Sequence, residues 1–98
     1  MTDLPELTAD QFERDMPASV RRRLLAGHIE SGADIVALRN FLGLTQERFA
    51  VALGISVHTL RNWEQGRSEP DRASRNLLAI IATDPGAVVG LLARLRDV

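Results

Sequence analysis

The chain contains no cysteine, no lysine and no tyrosine, and its only aromatic residues are three Phe and one Trp. Without cysteine it forms no disulfide and no thiolate-ligated metal site. No apolar run approaches the ~20 residues that a membrane-spanning helix requires, and no signal peptide pattern is visible. Because Leu, Ala and Arg dominate while strand-favouring aromatics are scarce, composition favours an all-α fold. We therefore expect a small cytoplasmic all-α protein without a membrane segment.

The charge is distributed unevenly along the 98 residues, although the net charge is only −1. Residues 1–15 hold five acidic residues and one Arg, whereas residues 16–98 hold eight acidic residues and eleven Arg. The acidic segment therefore masks a mildly basic body. Arginine suits bidentate contacts with phosphate and guanine better than lysine does. Codon bias in a GC-rich genome is the simpler explanation for the absence of lysine.

Apolar periodicity and helix-capping residues predict five helices between residues 33 and 96. Thr45 and Ser56 stand where N-caps are expected, and Gly54 supplies a turn between two of the helices. The predicted helices are 33–42, a helix capped by Thr45, a helix capped by Ser56, 71–82 and 86–96. We divide the chain into an N-terminal extension, residues 1–31, with an acidic tail and a short helix over 18–26, and a domain over 32–98.

The last predicted helix carries an apolar stripe at i, i+3, i+4 and i+7, formed by Val88, Leu91, Leu92 and Leu95. Such a stripe covers the core of the domain, or it forms part of the seam of a symmetric dimer. Both interpretations remain open at this point.

Residues 33–83 resemble the phage-repressor-like helix-turn-helix domain of the XRE (Cro/C1) type, with the motif itself between Thr45 and Pro70. The residues that carry the resemblance are Leu44-Thr45-Gln46, Phe49-Ala50, Leu53-Gly54-Ile55-Ser56, Thr59-Leu60, Trp63-Glu64, Gly66 and Pro70. The resemblance implies a five-helix fold whose second motif helix enters the major groove of double-stranded DNA. A homodimer is expected, because one helix reads few base pairs, and its half-sites would lie one turn apart, ~34 Å.

Four side chains near the start of that helix are candidates for contacts with base edges: Val57, His58, Arg61 and Asn62. Arg suits guanine and Asn suits adenine, because each pair forms two hydrogen bonds. The alternative is a solvated polar face. For Val57, which shares a helical face with Leu60, partial burial is the competing interpretation.

Contacts with DNA phosphates are expected from residues that flank this helix: Gln46, Thr59, Arg67 and Ser68. Gln46 begins the first motif helix, whose free N–H groups suit a phosphate oxygen, and the resemblance implies the same role for it. An exposed loop charge is the alternative for Arg67. The resemblance also implies a structural ion pair between Arg39 and Glu64.

A narrower resemblance, to HigA-type antitoxins, rests on the WEQGRSEP segment and the acidic N-terminal extension. Such proteins repress their own operon and neutralise an mRNA-cleaving toxin of the HigB/RelE kind. In that interpretation the acidic segment folds on a basic toxin through Leu7, Phe12 and Met16; otherwise it is a frayed tail. The cluster Arg21–Arg23 contacts DNA flanks or an acidic partner, or is simply solvated.

No catalytic constellation is present. The two histidines, His28 and His58, are far apart in the sequence and neither lies in a metal-binding motif. We expect no enzymatic activity, no metal, no cofactor and no small-molecule substrate. The sequence predicts a dimeric DNA-binding repressor, most like an antitoxin. The alternatives are a free-standing regulator, or a protein-interaction module that no longer binds DNA.

Overall fold

The computed structural model describes residues 16–96, with side chains described as far as residue 93. This part of the chain is all helical, which confirms the predicted fold class. The helices are α1 (Ala18–Leu25), α2 (Gly32–Leu42), α3 (Gln46–Leu53), α4 (Val57–Glu64), α5 (Arg72–Thr83) and α6 (Gly86–Arg96).

Local sequence signals determine where most of these helices begin. Thr45 caps α3 by accepting a hydrogen bond from the Arg48 N–H at 3.1 Å, and Ser56 caps α4 through the Thr59 N–H at 3.0 Å. Both predicted N-caps are therefore confirmed. The cap of α5 is Asp71, which accepts from the Ser74 N–H at 2.8 Å. A short polar side chain at each position satisfies an N–H that the helix itself leaves without a partner.

Gly54 ends α3 and makes the turn into α4. Its φ of 74° lies in the left-handed region, as the sequence predicted. The Ile55 N–H donates back to the Ala50 carbonyl at 3.1 Å and closes the end of α3. This turn sets the angle between the two motif helices.

One core is shared by all six helices. Its fully buried members are Leu24, Ile35, Leu38, Phe49, Leu60, Leu78 and Ile81, and Trp63 and Val88 complete its edges. Helix α1 packs on α5, α2 and α3 both pack on α4, and α3 packs on α6. The side chain of Leu24 places α1 within this core, so the short helix that precedes residue 32 is packed against the rest of the fold. The division of the chain at residue 31 stays a prediction.

The apolar residues of the last two helices are only partly buried. Leu78 and Ile81 face the core, whereas the Ile80 side chain is 58% exposed. In the predicted stripe of α6, Val88 is buried and Leu91 and Leu92 are half-buried; the side chain of Leu95 lies outside the described residues. Val89, outside the stripe, is 67% exposed.

Within the described residues no single helix is long and apolar enough to cross a membrane. Helices α5 and α6 reach the required length and apolarity only when counted together, and they meet at a bend of 112°.

Two close contacts fix the first two helices of the described residues. One joins α1 to α2, and the other joins α2 to α4. The Asp34 carboxylate, with a side chain only 4% exposed, accepts from Arg23 at 2.7 and 3.2 Å and from the Glu30 N–H at 3.0 Å. This pair joins α1 to α2, and the same carboxylate raises the pKa of Arg23. Arg23 is therefore engaged within the protein, whereas Arg21 and Arg22 stay exposed.

The second contact involves Gly32, the first residue of α2. A Cβ atom at this position would collide with the carbonyl oxygens of Trp63 and Glu64, the last two residues of α4. Only glycine allows the backbone of α2 to approach α4 so closely.

Candidate nucleic-acid interface

Helix α4 has one buried face and one outward face. Leu60 is completely buried and Trp63 is 6% exposed, so these two side chains anchor the helix in the core. His58 and Arg61 lie on the exposed face, and Asn62 is half-buried beside them. This division follows from helical spacing, because residues three apart share a face.

The predicted base-contacting residues are found in three different environments. His58 and Asn62 are adjacent, with the Asn62 Nδ2 3.3 Å from the His58 Nε2. Arg61 reaches across to α3. Val57 is half-buried and packs against the core, which leaves less of its side chain for a base.

The predicted phosphate contacts also differ from one another. Thr59 is half-buried, and its hydroxyl accepts a hydrogen bond from the Ser56 hydroxyl at 3.0 Å. Arg67 and Ser68 are exposed in the turn after α4, where the Arg67 N–H donates to the Asn62 carbonyl at 2.8 Å. Their side chains therefore flank the exposed face of α4.

Arg39 and Glu64 form a two-point ion pair behind this face. The Arg39 Nε and Nη2 atoms donate to the two carboxylate oxygens of Glu64 at 2.7 and 3.2 Å. The side chains are 17% and 5% exposed. A further hydrogen bond, from Arg39 Nη1 to the Leu44 carbonyl at 3.1 Å, ties the pair to the segment before α3. The pair therefore links α2, the start of α3 and the end of α4.

The side chain of Gln46 is engaged at both ends. Its Nε2 donates to Glu64 at 2.8 Å, and its Oε1 accepts from the Arg61 Nε at 3.1 Å. Arg61 also donates from Nη2 to Glu47 at 3.1 Å. The ion pair is thereby connected through Gln46 to the exposed face of α4.

Sequence reasoning missed Glu47 and Asp34. Each lies in the first turn of a helix, where acidic residues are common because they interact favourably with the positive end of the helix dipole. Their partners, Arg61 and Arg23, are fourteen and eleven residues distant in the sequence, so no local pattern predicts the pairing.

Of the predicted toxin contacts, Leu7 and Phe12 lie outside the described residues, and Met16 is half-buried and packs against the core. Among the described residues no group of three potential ligands is arranged to hold a metal ion.

Comparison with known proteins identifies this part of the chain. Residues 35–73 match the family model described as helix-turn-helix. Antitoxin HigA-2 of Vibrio cholerae serotype O1 is 38% identical over 52 residues, 53% of this chain and 50% of that protein. The uncharacterized HTH-type transcriptional regulator YiaG of Escherichia coli K12 is 36% identical over 55 residues, 56% of this chain and 57% of that protein.

The chain thus spans about half the length of the curated relatives it matches. No solved structure matches it. The matched segment begins within α2 and ends within α5, so it contains both motif helices and the Arg39–Glu64 pair. The similarity to the helix-turn-helix family therefore covers about two fifths of the chain, the part that contains α3 and α4.

Proposed function

We propose that the chain is a sequence-specific transcriptional repressor that occupies double-stranded operator DNA through the exposed face of α4. The observation that carries the proposal is the outward presentation of His58, Arg61 and Asn62 on a helix anchored by Leu60 and Trp63. In a helix-turn-helix domain this helix lies in the major groove. The exposed side chains carry donors and acceptors that match base edges.

Phosphate contacts are proposed for Thr59, Arg67 and Ser68, which border the same face. Each arginine contact with a phosphate displaces counterions, so affinity should fall as salt rises. The Gln46 amide uses one N–H on Glu64 and its oxygen on Arg61, so the second N–H remains for the predicted phosphate contact. For Val57, partial burial leaves a contact with a thymine methyl group as a weaker proposal.

Fluorescence anisotropy with labelled duplexes tests DNA binding directly. A duplex from the protein's own promoter is compared with a shuffled duplex of the same composition, at several salt concentrations. We expect Arg61→Ala and Asn62→Ala to lower the preference for the promoter by about 5- to 150-fold each, the effect of losing one bidentate base contact. Equal affinity of the wild-type protein for both duplexes would contradict the proposal and favour an interaction module without DNA binding.

The working form is proposed to be a homodimer that reads two half-sites about 34 Å apart. Large apolar side chains remain exposed on the last two helices, Ile80 on α5 and Val89 on α6, and these are candidate parts of the dimer seam. Analytical ultracentrifugation of wild-type protein and Val89→Glu tests this. A dimer that Val89→Glu converts to a monomer supports the seam on α6, and a wild-type monomer on DNA contradicts the dimer.

We further propose that the protein is the antitoxin of a toxin–antitoxin pair and represses its own operon. The similarity to Antitoxin HigA-2 and the five acidic residues among the first fifteen support this role. The partner is a basic mRNA-cleaving toxin of the HigB/RelE kind, contacted by the N-terminal segment with Leu7 and Phe12. Met16, which packs against the core, contributes only its exposed part.

Co-purification from the native operon tests the antitoxin role, together with a variant that lacks residues 1–15. This deletion keeps Met16, which packs against the core. We expect the variant to lose toxin neutralisation and to retain operator binding. Neutralisation by the truncated protein would place the toxin contact elsewhere. If no protein co-purifies, the chain is a free-standing regulator, the alternative that the similarity to the regulator YiaG favours.

A further inference from the structure

Four polar side chains form a continuous chain of hydrogen bonds between α3 and α4. We call this chain the α3–α4 clamp; it consists of Gln46, Glu47, Arg61 and Glu64. Gln46 joins Glu64 to Arg61 through hydrogen bonds of 2.8 and 3.1 Å, and Glu47 accepts from Arg61 at 3.1 Å. The clamp therefore runs from the buried carboxylate of Glu64 to the exposed ion pair of Arg61 and Glu47.

The orientation of the Gln46 amide is fixed by its buried neighbour. An ionised carboxylate only accepts hydrogen bonds, so the amide nitrogen must face Glu64 and the amide oxygen must face Arg61. Glu64 is itself held by Arg39 at 2.7 and 3.2 Å. The Gln46 Oε1 atom, which accepts from Arg61, is therefore held in position by Glu64 and Arg39.

The clamp uses one particular edge of the Arg61 guanidinium. Its Nε donates to Gln46 and its Nη2 donates to Glu47, which together occupy the side edge of the group. Within residues 16–93, Arg61 makes no other hydrogen bond. Because a guanidinium carries five N–H donors in a rigid plane, the end edge, formed by Nη1 and the second N–H of Nη2, remains available. Two parallel N–H groups of this kind match the O6 and N7 atoms of guanine.

We propose that Gln46 and Glu47 are positioning residues that present the end edge of Arg61 to a guanine in the major groove. This proposal rests on the proposed function, because it requires that α4 reads DNA. Gln46 then has a different role from the predicted phosphate contact. The guanine preference of the protein depends on two side chains that do not touch the base.

Glu47 offers the cleanest test of this role. Its side chain is 65% exposed and its partner is 44% exposed, and exposed ion pairs contribute little to stability. Glu47→Ala should therefore keep the fold, so that a change in base preference reports the orientation of Arg61. Glu47→Gln keeps an oxygen that accepts from Nη2 and should restore most of the preference.

The experiment selects bound duplexes from a library with a randomised central region. It uses the wild-type chain, Glu47→Ala, Glu47→Gln, Gln46→Met and Arg61→Ala. We expect Arg61→Ala to erase guanine preference at one position of each half-site. Glu47→Ala and Gln46→Met should weaken guanine preference at that same position and leave the others unchanged. The losses should lie within the about 5- to 150-fold that a bidentate arginine–guanine pair contributes.

Glu69→Ala is the matched control, because Glu69 is an exposed acid that pairs with Arg75 outside the α3–α4 contact. It reports the uniform gain in affinity that follows from removing one negative charge near DNA. A wild-type protein that selects no sequence contradicts the proposed function and this proposal together. If Glu47→Ala selects the same consensus sequence as the wild type, this proposal alone is overturned. If Gln46→Met loses affinity equally for all duplexes and keeps the guanine preference, Gln46 contacts a phosphate.

Discussion

Arg39 and Glu64 lie twenty-five residues apart and meet through two hydrogen bonds, of 2.7 and 3.2 Å. The pair joins the last turn of α2 to the end of α4. It also supports Gln46 on one side and the Leu44 carbonyl on the other. The placement of α4 therefore depends on one nearly buried carboxylate.

Glu64→Ala should lower stability and DNA binding together. Removing one partner of a buried pair leaves the other charge without compensation, which costs about 3–5 kcal/mol when both groups are fully buried; with Arg39 still 17% exposed, we expect the lower end of that range. Thermal unfolding followed by circular dichroism measures the change. Glu69→Ala, at a carboxylate 83% exposed, is the control and should unfold like the wild type. An unchanged melting temperature for Glu64→Ala would show that the pair does not hold α4.

Gly32→Ala should destabilise the fold through overpacking. The added methyl group meets the carbonyl oxygens of Trp63 and Glu64, and the backbone must shift at a cost of about 1–3 kcal/mol. Gly90→Ala in α6 is the matched control, because its Cβ meets nothing within 4 Å. Alanine is also the better helix former there, so Gly90→Ala should be neutral or stabilising by up to about 1 kcal/mol. Urea denaturation of both variants compares them, and a Gly32→Ala variant as stable as Gly90→Ala would refute the close approach.

Asp34→Ala should loosen the attachment of α1 to α2. The substitution removes the acceptor of the Arg23 guanidinium and of the Glu30 N–H, so the hydrogen bonds that join the two helices are lost. We expect faster amide hydrogen exchange in residues 18–25 than in α4. Arg22→Ala, an exposed neighbour of Arg23, should leave exchange unchanged. Equal protection of α1 in Asp34→Ala and the wild type would mean that apolar packing, by Val20 and Leu24, anchors the helix without the Asp34 hydrogen bonds.

The cap of α5 should make stability depend on pH in the acid range. The hydrogen bond from the Ser74 N–H holds the pKa of Asp71 below its ordinary value of 3.8, with a smaller contribution from Arg75. A carboxyl group whose pKa is lowered by folding stabilises the folded state above pH 3.8. That contribution is lost as the pH falls through the lowered value.

Asp71→Asn isolates this effect, because asparagine caps a helix about as well as aspartate but does not titrate. The melting temperature of the wild type should exceed that of Asp71→Asn near neutral pH, and the difference should close below pH 3.8. A difference that stays constant across the acid range would contradict the assignment.

The sequence predicts those features of the fold that depend on neighbouring residues. Thr45, Ser56 and Gly54 could be assigned because a cap or a left-handed turn is settled within four residues. The inward face of α4 was predictable for the same reason, since Leu60 and Trp63 follow helical spacing. Two helix starts were missed by one residue: α2 begins at Gly32 and α5 at Arg72, because the capping roles of Ser31 and Asp71 were not recognised.

Features that depend on distant parts of the chain were not predictable in this way. Arg23 looks like one of three equivalent basic residues, and only the packing of α1 on the core brings it to Asp34. Gln46 looks like a free amide at a helix start, but its nitrogen donates to the buried Glu64 and its oxygen accepts from the exposed Arg61. The contacts of Val57, His58, Arg61 and Asn62 with bases, and those of Thr59, Arg67 and Ser68 with phosphates, stay predictions.

The approach of Gly32 to the end of α4 has a consequence for engineering the protein. The attachment at that point is made by backbone atoms, with the positive end of the α2 dipole against the carbonyl end of α4. It does not involve the outward residues of α4, so His58 and Asn62 can be exchanged without disturbing it. Under the proposed function, the domain is thereby a suitable scaffold for retargeting, in which new base contacts are introduced on the outward face of α4 while its end stays fixed against Gly32.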